Sequence, residues 1–279
     1  MMDLQSLIAE IEPLTKDPIY LPEEHAREKV LPWIVFTIAA VTALYWMSWP
    51  IANQLFGEKQ LDNKRKLCYQ ITNVITNLCL GIAGLYFEYR MLPAEPSIQG
   101  NEHIYHLPGA QIGYQVWGLV VGILLVDEKP EMLGHHLSLG WVACMPAFLV
   151  NGFRFWTPYY FGVVELSSVP LGIMNAFKDN KAWTQKYPRF YANIRLIFAI
   201  TFLIISNVLL VPHLDYLRDL FLFTYLLTWE NAAFKIYFMS ICVGSFFLFY
   251  LQLYWGYLVA SGVLKTITKP TKQQPAKQQ

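Results

Sequence analysis

Hydrophobic positions come in long unbroken runs, and polar positions are gathered into the gaps between them. The runs cover approximately Leu31–Phe56, Leu67–Phe87, Ala110–Val126, Leu137–Phe153, Tyr159–Phe177, Tyr191–Val211 and Ile236–Leu264. Each is near or above the ~20 residues that a helix needs to cross a bilayer, the third and fourth needing help from flanking residues. An eighth stretch, Leu217–Trp229, is short for a span and suits a re-entrant or interfacial piece. The pattern predicts an all-α fold, a polytopic helical membrane bundle of about seven transmembrane helices.

Composition agrees with the pattern. Of 279 residues 55% are hydrophobic and only 15% charged, where a soluble domain carries about a quarter charged residues. Lys and Arg set the expected orientation. With seven spans and a cytoplasmic C-terminus, fourteen of them fall on the cytoplasmic side and six on the other, with Lys235 at a boundary. That bias follows the positive-inside rule and predicts a lumenal or external N-terminus. The net charge of +1 gives no footprint for nucleic acid.

Residues 1–30 are expected to be an extramembrane segment with a short amphipathic helix, and 31–58 the first transmembrane helix. Residues 59–265 form the main membrane domain, and 266–279 a basic, Gln-rich disordered tail. Cys68, Cys79, Cys144 and Cys242 sit in or beside apolar runs without a C-x-x-C pair, and are expected to be packing residues.

Polar residues at membrane depth are costly and usually face the bundle interior or a cavity. Three groups stand out. Gln70, Asn73 and Asn77 share one helical face in "LCYQITNVITN", expected to serve interhelical hydrogen bonding first and a cavity second. Glu165 lies near mid-bilayer in "YYFGVVELSSVPLGIMN". Gly162, Ser168 and Gly172 share its face, and Pro170 is expected to kink the helix. His135 and His136 open the fourth run in "EMLGHHLSLGW". Neighbours on a helix lie ~100° apart, so the two rings diverge. Imidazole suits proton transfer near neutral pH and can also attack an activated acyl group; an interfacial pair without chemistry is the alternative. Two adjacent histidines make a poor chelate, and no H-x-x-x-H or H-E-x-x-H occurs, so no metal site is expected.

Four segments together resemble the TLC domain, the membrane domain of ceramide synthases and several lipid-linked relatives. "QIGYQVWGLVV" at 111–121 resembles the family's Gly/Ser-Tyr opening of a span, and "GHHLSLG" at 134–140 its paired histidines. "VELSSVPLGIMN" at 164–175 resembles the Glu-Leu-Ser segment, ending in Asn, of members that are not ceramide synthases. "LQLYWGYLVASGVLK" at 251–265 resembles the aromatic final span. The likeness covers roughly residues 60–265. The His-Asp and further Asp of ceramide synthases are absent from 164–175, and Gly118 stands where many members place an Asp. The chain therefore resembles more closely the branch that does not make ceramide.

The resemblance implies a lipid-receiving cavity open toward the cytoplasm and a multi-pass protein of the endoplasmic reticulum. It implies His135 and His136 as catalytic residues in acyl transfer from acyl-CoA, a co-substrate rather than a bound cofactor, to an amphipathic amine or lipid. Membrane lipids would be its partners. Non-catalytic lipid binding that regulates membrane lipid composition is the alternative. Depth along the helices suggests Asn175 as the residue that orients a histidine. Glu165, Ser168, Tyr114, Asn73, Asn77 and Trp255 would line the cavity, with Glu165 well below the histidines.

Overall fold

In the computed structural model the described residues are chiefly 23–57, 60–90, 102–149, 155–211, 214–227 and 232–268, with a few scattered positions before them. The expected N-terminal amphipathic helix, residues 269–279 of the tail, and the ends of the fourth run and of Leu217–Trp229 lie outside them. Among the described residues every regular element is helical.

The first run forms α1 (Leu31–Met47) and α2 (Trp49–Phe56), which meet at Ser48 just before Pro50. Proline at the start of a helix has no amide hydrogen to lose from the ladder, so the chain can re-aim there. Next come α3 (Leu61–Arg90), α4 (His106–Val121) and α5 (Pro130–Cys144). The fifth run divides into α6 (Thr157–Tyr160), a tight 3-10 segment at Val163–Ser167, and α7 (Ser168–Asp179). The remainder are α8 (Lys181–Lys186), α9 (Pro188–Leu203), α10 (Asp215–Leu226) and α11 (Ala232–Thr268).

Six helical stretches are long and apolar enough to cross a membrane: Ala26–Phe56, Leu61–Arg90, His106–Val126, Thr157–Asp179, Pro188–Val208 and Ala232–Lys265. The chain therefore has the character of a multi-pass integral membrane protein. The fourth run does form a helix, α5 continued by wider π-type turns through Leu149, but it is not one of the six. Glu131, the histidine pair and two prolines dilute its apolar character. The eighth stretch is a 12-residue helix, α10, packed against α11.

Neighbouring helices close a ring in the order α3, α7, α9, α11, α5, α4 and back to α3, with α1 packed outside against α4 and α3. Helices in lipid gain little from the hydrophobic effect between them, so close approach through small residues matters. Gly84 of α3 and Gly162 press backbone to backbone; a methyl group on Gly84 would come within 2.5 Å of the Val163 nitrogen. The break in the helical ladder expected near Pro170 is present. Pro170 lies inside the first turn of α7, and the break falls before it, across Phe161–Ser167. Pro170 has no N–H to return to the carbonyl four residues earlier, so the preceding turn tightens.

Candidate functional site: a cavity inside the helix ring

The ring encloses a cavity of about 680 Å³, whose lining runs from Lys66 to Val259 along the chain. α1 and α2 contribute nothing to it. At one end its wall carries Lys66, Lys129, Lys178, Asp127, Glu128 and Asp179. Asp127, Lys129, Lys178 and Asp179 are exposed there, so the cavity meets the surface among charges. At the other end the wall turns aromatic and aliphatic, with Trp156, Tyr160, Tyr216, Phe202 and Leu210. The lining thus combines charged residues at the surface with an aromatic and aliphatic stretch in which Ser206 and Ser245 are hydrogen-bonded.

The charged end owes its shape to one turn. Asp127 adopts a left-handed conformation (φ 52°), and the Glu128 amide donates back to the Gly122 carbonyl at 3.0 Å. Asp tolerates this region better than most residues. The turn closes α4 and reverses the chain into α5, bringing the histidines of α5 alongside α4.

The nine candidate site residues all line this one cavity: Asn73 and Asn77 from α3, Tyr114 from α4, and His135 and His136 from α5. Glu165 comes from the 3-10 segment, Ser168 and Asn175 from α7, and Trp255 from α11. Gln70 joins them, so the polar stripe of α3 faces the cavity rather than serving helix contacts alone. Asn73 does both: its Oδ1 accepts from the Tyr114 hydroxyl at 3.2 Å.

The two histidines differ. His136 is buried and fixed at both ring nitrogens. Its Nδ1 is hydrogen-bonded to Gln115 Oε1, and its Nε2 faces the Tyr69 hydroxyl at 3.3 Å. With Gln115 presenting its oxygen, Nδ1 carries the proton and donates, and Nε2 accepts from Tyr69. Tyr69 is itself held by stacking on Trp117, with centroids 5.7 Å apart and planes at 18°. His135 is only partly buried and hydrogen-bonds to no side chain among the described residues. Its ring lies 5.7 Å from that of Trp255 and 5.9 Å from that of His136.

One face of α4 organises the site. Gln111, Tyr114, Gln115 and Gly118 recur at the three- and four-residue spacing of a single helical face. Gln111 donates to Glu165 Oε1 at 2.6 Å, Tyr114 reaches Asn73, and Gln115 holds His136. Gly118 leaves the room that the His136 ring occupies, since a methyl group there would sit 3.0 Å from Cε1.

Two expectations change as a result. Gln111 and Gln115 stand four residues apart, ~6 Å along the helix axis. Glu165 and His136 are thus held on successive turns of α4 rather than at widely different depths. Glu165 nonetheless hydrogen-bonds to neither histidine among the described residues; Gln111 donates to its Oε1, and Ser168 bonds to the same carboxyl. Asn175 lines the cavity but makes no hydrogen bond to His135 or His136 among the described residues; the side chains on His136 are Gln115 and Tyr69.

Sequence reasoning missed Gln111, Gln115, Tyr69 and the role of Gly118. Two glutamines four residues apart in an apolar run, flanking Tyr114, were the available signal. Among the described residues no three metal-ligating side chains converge.

No protein-family model matches the chain, and no curated protein or solved structure shows significant similarity to it.

Proposed function

We propose that the chain is a TLC-like membrane protein of lipid metabolism, in which the cavity takes an acyl chain or lipid and His135 serves acyl transfer from an acyl thioester such as acyl-CoA. The observation that carries this reading is the inequality of the histidines: one ring is locked by Gln115 and Tyr69, while its neighbour lines the cavity with no hydrogen bond to a side chain among the described residues. In this reading seven helices span the membrane and the charged end opens to the cytoplasm, where the thioester would enter. The endoplasmic reticulum is the organelle that the resemblance suggests.

The chemistry would run as general base catalysis. His135 takes the proton of the acceptor's hydroxyl or amine as that atom attacks the thioester carbonyl. The C–S bond breaks, and the imidazolium returns the proton to the departing thiolate. Gln115, whose Oε1 is engaged with His136, keeps a buried Nε2 without a partner among the described residues. Amide donors of that kind stabilise the oxyanion of acyl transfer.

A second reading, lipid binding without catalysis, is favoured by one specific observation: no carboxylate hydrogen-bonds to either histidine among the described residues. The test is thiol release from long-chain acyl-CoA by the purified full-length protein in lipid nanodiscs, supplied with extracted membrane lipid as acceptor. Release by the wild type that falls at least a hundredfold in His135→Ala supports transfer. Tight acyl-CoA or lipid binding with no thiol release supports the second reading.

A further inference from the structure

The wall between α5 and α11 is closed along only part of its length. The two helices run antiparallel in one register. Trp141 Nε1 of α5 donates to Ser240 Oγ of α11 at 2.9 Å. Two turns nearer the start of α5, Gly134 meets Phe247: a methyl group on this glycine would sit 3.3 Å from the ring. Between these contacts, a methyl group on Gly244 would lie 3.3 Å from Val142 and 4.0 Å from the Ser138 carbonyl. Carried one turn further, the register sets Leu251 level with Pro130, the first residue of α5.

α11 continues past that point. Tyr254 and Leu258 follow Leu251 on the same face, at three- and four-residue spacing, where α5 has no residue left to cover them. Leu251 is 5% exposed, whereas Tyr254 and Leu258 are 45% and 47% exposed. Both nevertheless line the cavity. Among the described residues the other exposed lining residues, Asp127, Lys129, Glu131, Lys178 and Asp179, are all charged. The cavity thus reaches the surface through charged side chains and also through apolar ones. The apolar part belongs to Ala232–Lys265, a stretch long and apolar enough to cross a membrane. It opens beside the histidines, since Trp255 follows Tyr254 and its ring lies 5.7 Å from that of His135.

We infer that the gap past the start of α5, edged by Tyr254 and Leu258, is a lateral entrance through which a lipid of the surrounding bilayer reaches the cavity. The inference rests on the reading of the cavity as a lipid site, and goes beyond it by naming the source and route of the lipid. A long chain drawn through water would expose its whole apolar surface at high cost. Through a side opening in a membrane-spanning stretch it passes from bilayer to cavity without that exposure. Glu131, in the first turn of α5, edges the same opening and leaves the polar head of the lipid in contact with charge and water. Tyr254 and Leu258 act in access here and touch no reacting atom.

The experiment follows entry of a photoactivatable lipid into the full-length protein in nanodiscs. Phosphatidylcholine with a diazirine on its acyl chain is delivered to the nanodiscs, samples are irradiated at intervals, and labelled residues are mapped by peptide mass spectrometry. Leu139 and Phe202, 7% and 5% exposed on the cavity wall, report entry; Phe36, 63% exposed on the outer face, reports contact with the bilayer. The expected result is labelling of Leu139 and Phe202 in the wild type. Leu258→Trp should slow it about tenfold, the effect on a barrier of one overpacked side chain. Leu258→Ala should speed it, and Phe36 should label at the same rate in all three proteins. The Ala variant decides the matter if the Trp variant does not fold. Inner labelling at wild-type rate in Leu258→Trp, or no faster in Leu258→Ala, overturns the lateral entrance and leaves the lipid reading standing. Labelling of Phe36 with none of Leu139 or Phe202 in the wild type overturns the lipid reading and the entrance with it.

Discussion

α1 and α4 are both apolar helices that lie side by side, yet the protein uses them in opposite ways. In the span that contains α1, 22% of the most apolar stretch is buried; in the span of α4 the figure is 61%. α1 turns Val35, Phe36 and Met47 outward and sends no side chain into the cavity. α4 carries two glutamines, a tyrosine and a glycine on one face, and each meets a specific partner in the ring. Apolar character sends a segment into the membrane. A few polar residues at helical spacing then decide whether it faces lipid or builds a site.

Substitutions on the two helices can break that comparison. The largest effect is expected for Gly118→Leu. The new side chain would occupy the space of the His136 ring, and its neighbours Tyr69 and Trp117 are already packed. Overpacking of this kind costs about 1–3 kcal/mol, so thermal unfolding in detergent should shift clearly downward and acyl transfer should be lost. An unchanged transition would show that the α4–α5 contact is looser than described.

Gln115→Leu comes next. It strips the Nδ1 partner from His136 and leaves a buried donor unsatisfied, worth about 1–2 kcal/mol. The expected signature is combined: a modest loss of stability and a larger loss of turnover, with Gln115→Glu restoring part of both by keeping an acceptor oxygen. If Gln115→Leu matches the wild type in turnover, His136 does not need its anchor.

Gln111→Leu should cost somewhat less, ~0.6–1.7 kcal/mol, the range of hydrogen bonds between helices in membranes. Its effect on the thiol-release rate should be smaller than that of Gln115→Leu, because Glu165 is not part of the transfer chemistry. A greater loss of turnover for Gln111→Leu would reverse the assignment of the two rungs.

The smallest effect is expected on α1. Phe36 is 63% exposed on the face turned away from the bundle. Phe36→Leu should shift stability by less than ~0.5 kcal/mol and leave turnover unchanged. A substantial loss there would mean that α1 packs on something else, such as a second copy of the chain.

Much of this arrangement was legible in the sequence, and for a clear reason. Burying His135, Glu165 or Asn73 at membrane depth is costly, so such residues are rare in apolar runs and point inward. That logic, together with the motif resemblance that named Tyr114, Asn175 and Trp255, brought nine dispersed residues to one cavity. Pairings between helices were harder to read. Helical spacing places Gln115 and Tyr114 on one face of α4, but it says nothing about which residue of α5 stands opposite. The turn at Asp127 helps to set that register, through a left-handed residue that hydropathy cannot register. For the same reason Asn175 seemed a natural partner for the histidines, while Gln115 and Tyr69 hold His136 in the structure. The break ahead of Pro170 was legible because proline removes a bond from the turn that precedes it.

The most direct test of the account is a lipid mass-spectrometry profile of cells expressing the wild type, His135→Ala or His136→Ala at matched protein levels. The account predicts that the wild type shifts one lipid class and that His135→Ala abolishes the shift at full stability. His136→Ala should lose both the shift and part of the stability, because Gln115 and Tyr69 lose the ring they hold. A His135→Ala profile indistinguishable from that of the wild type would contradict the claim that the free imidazole in this cavity does chemistry.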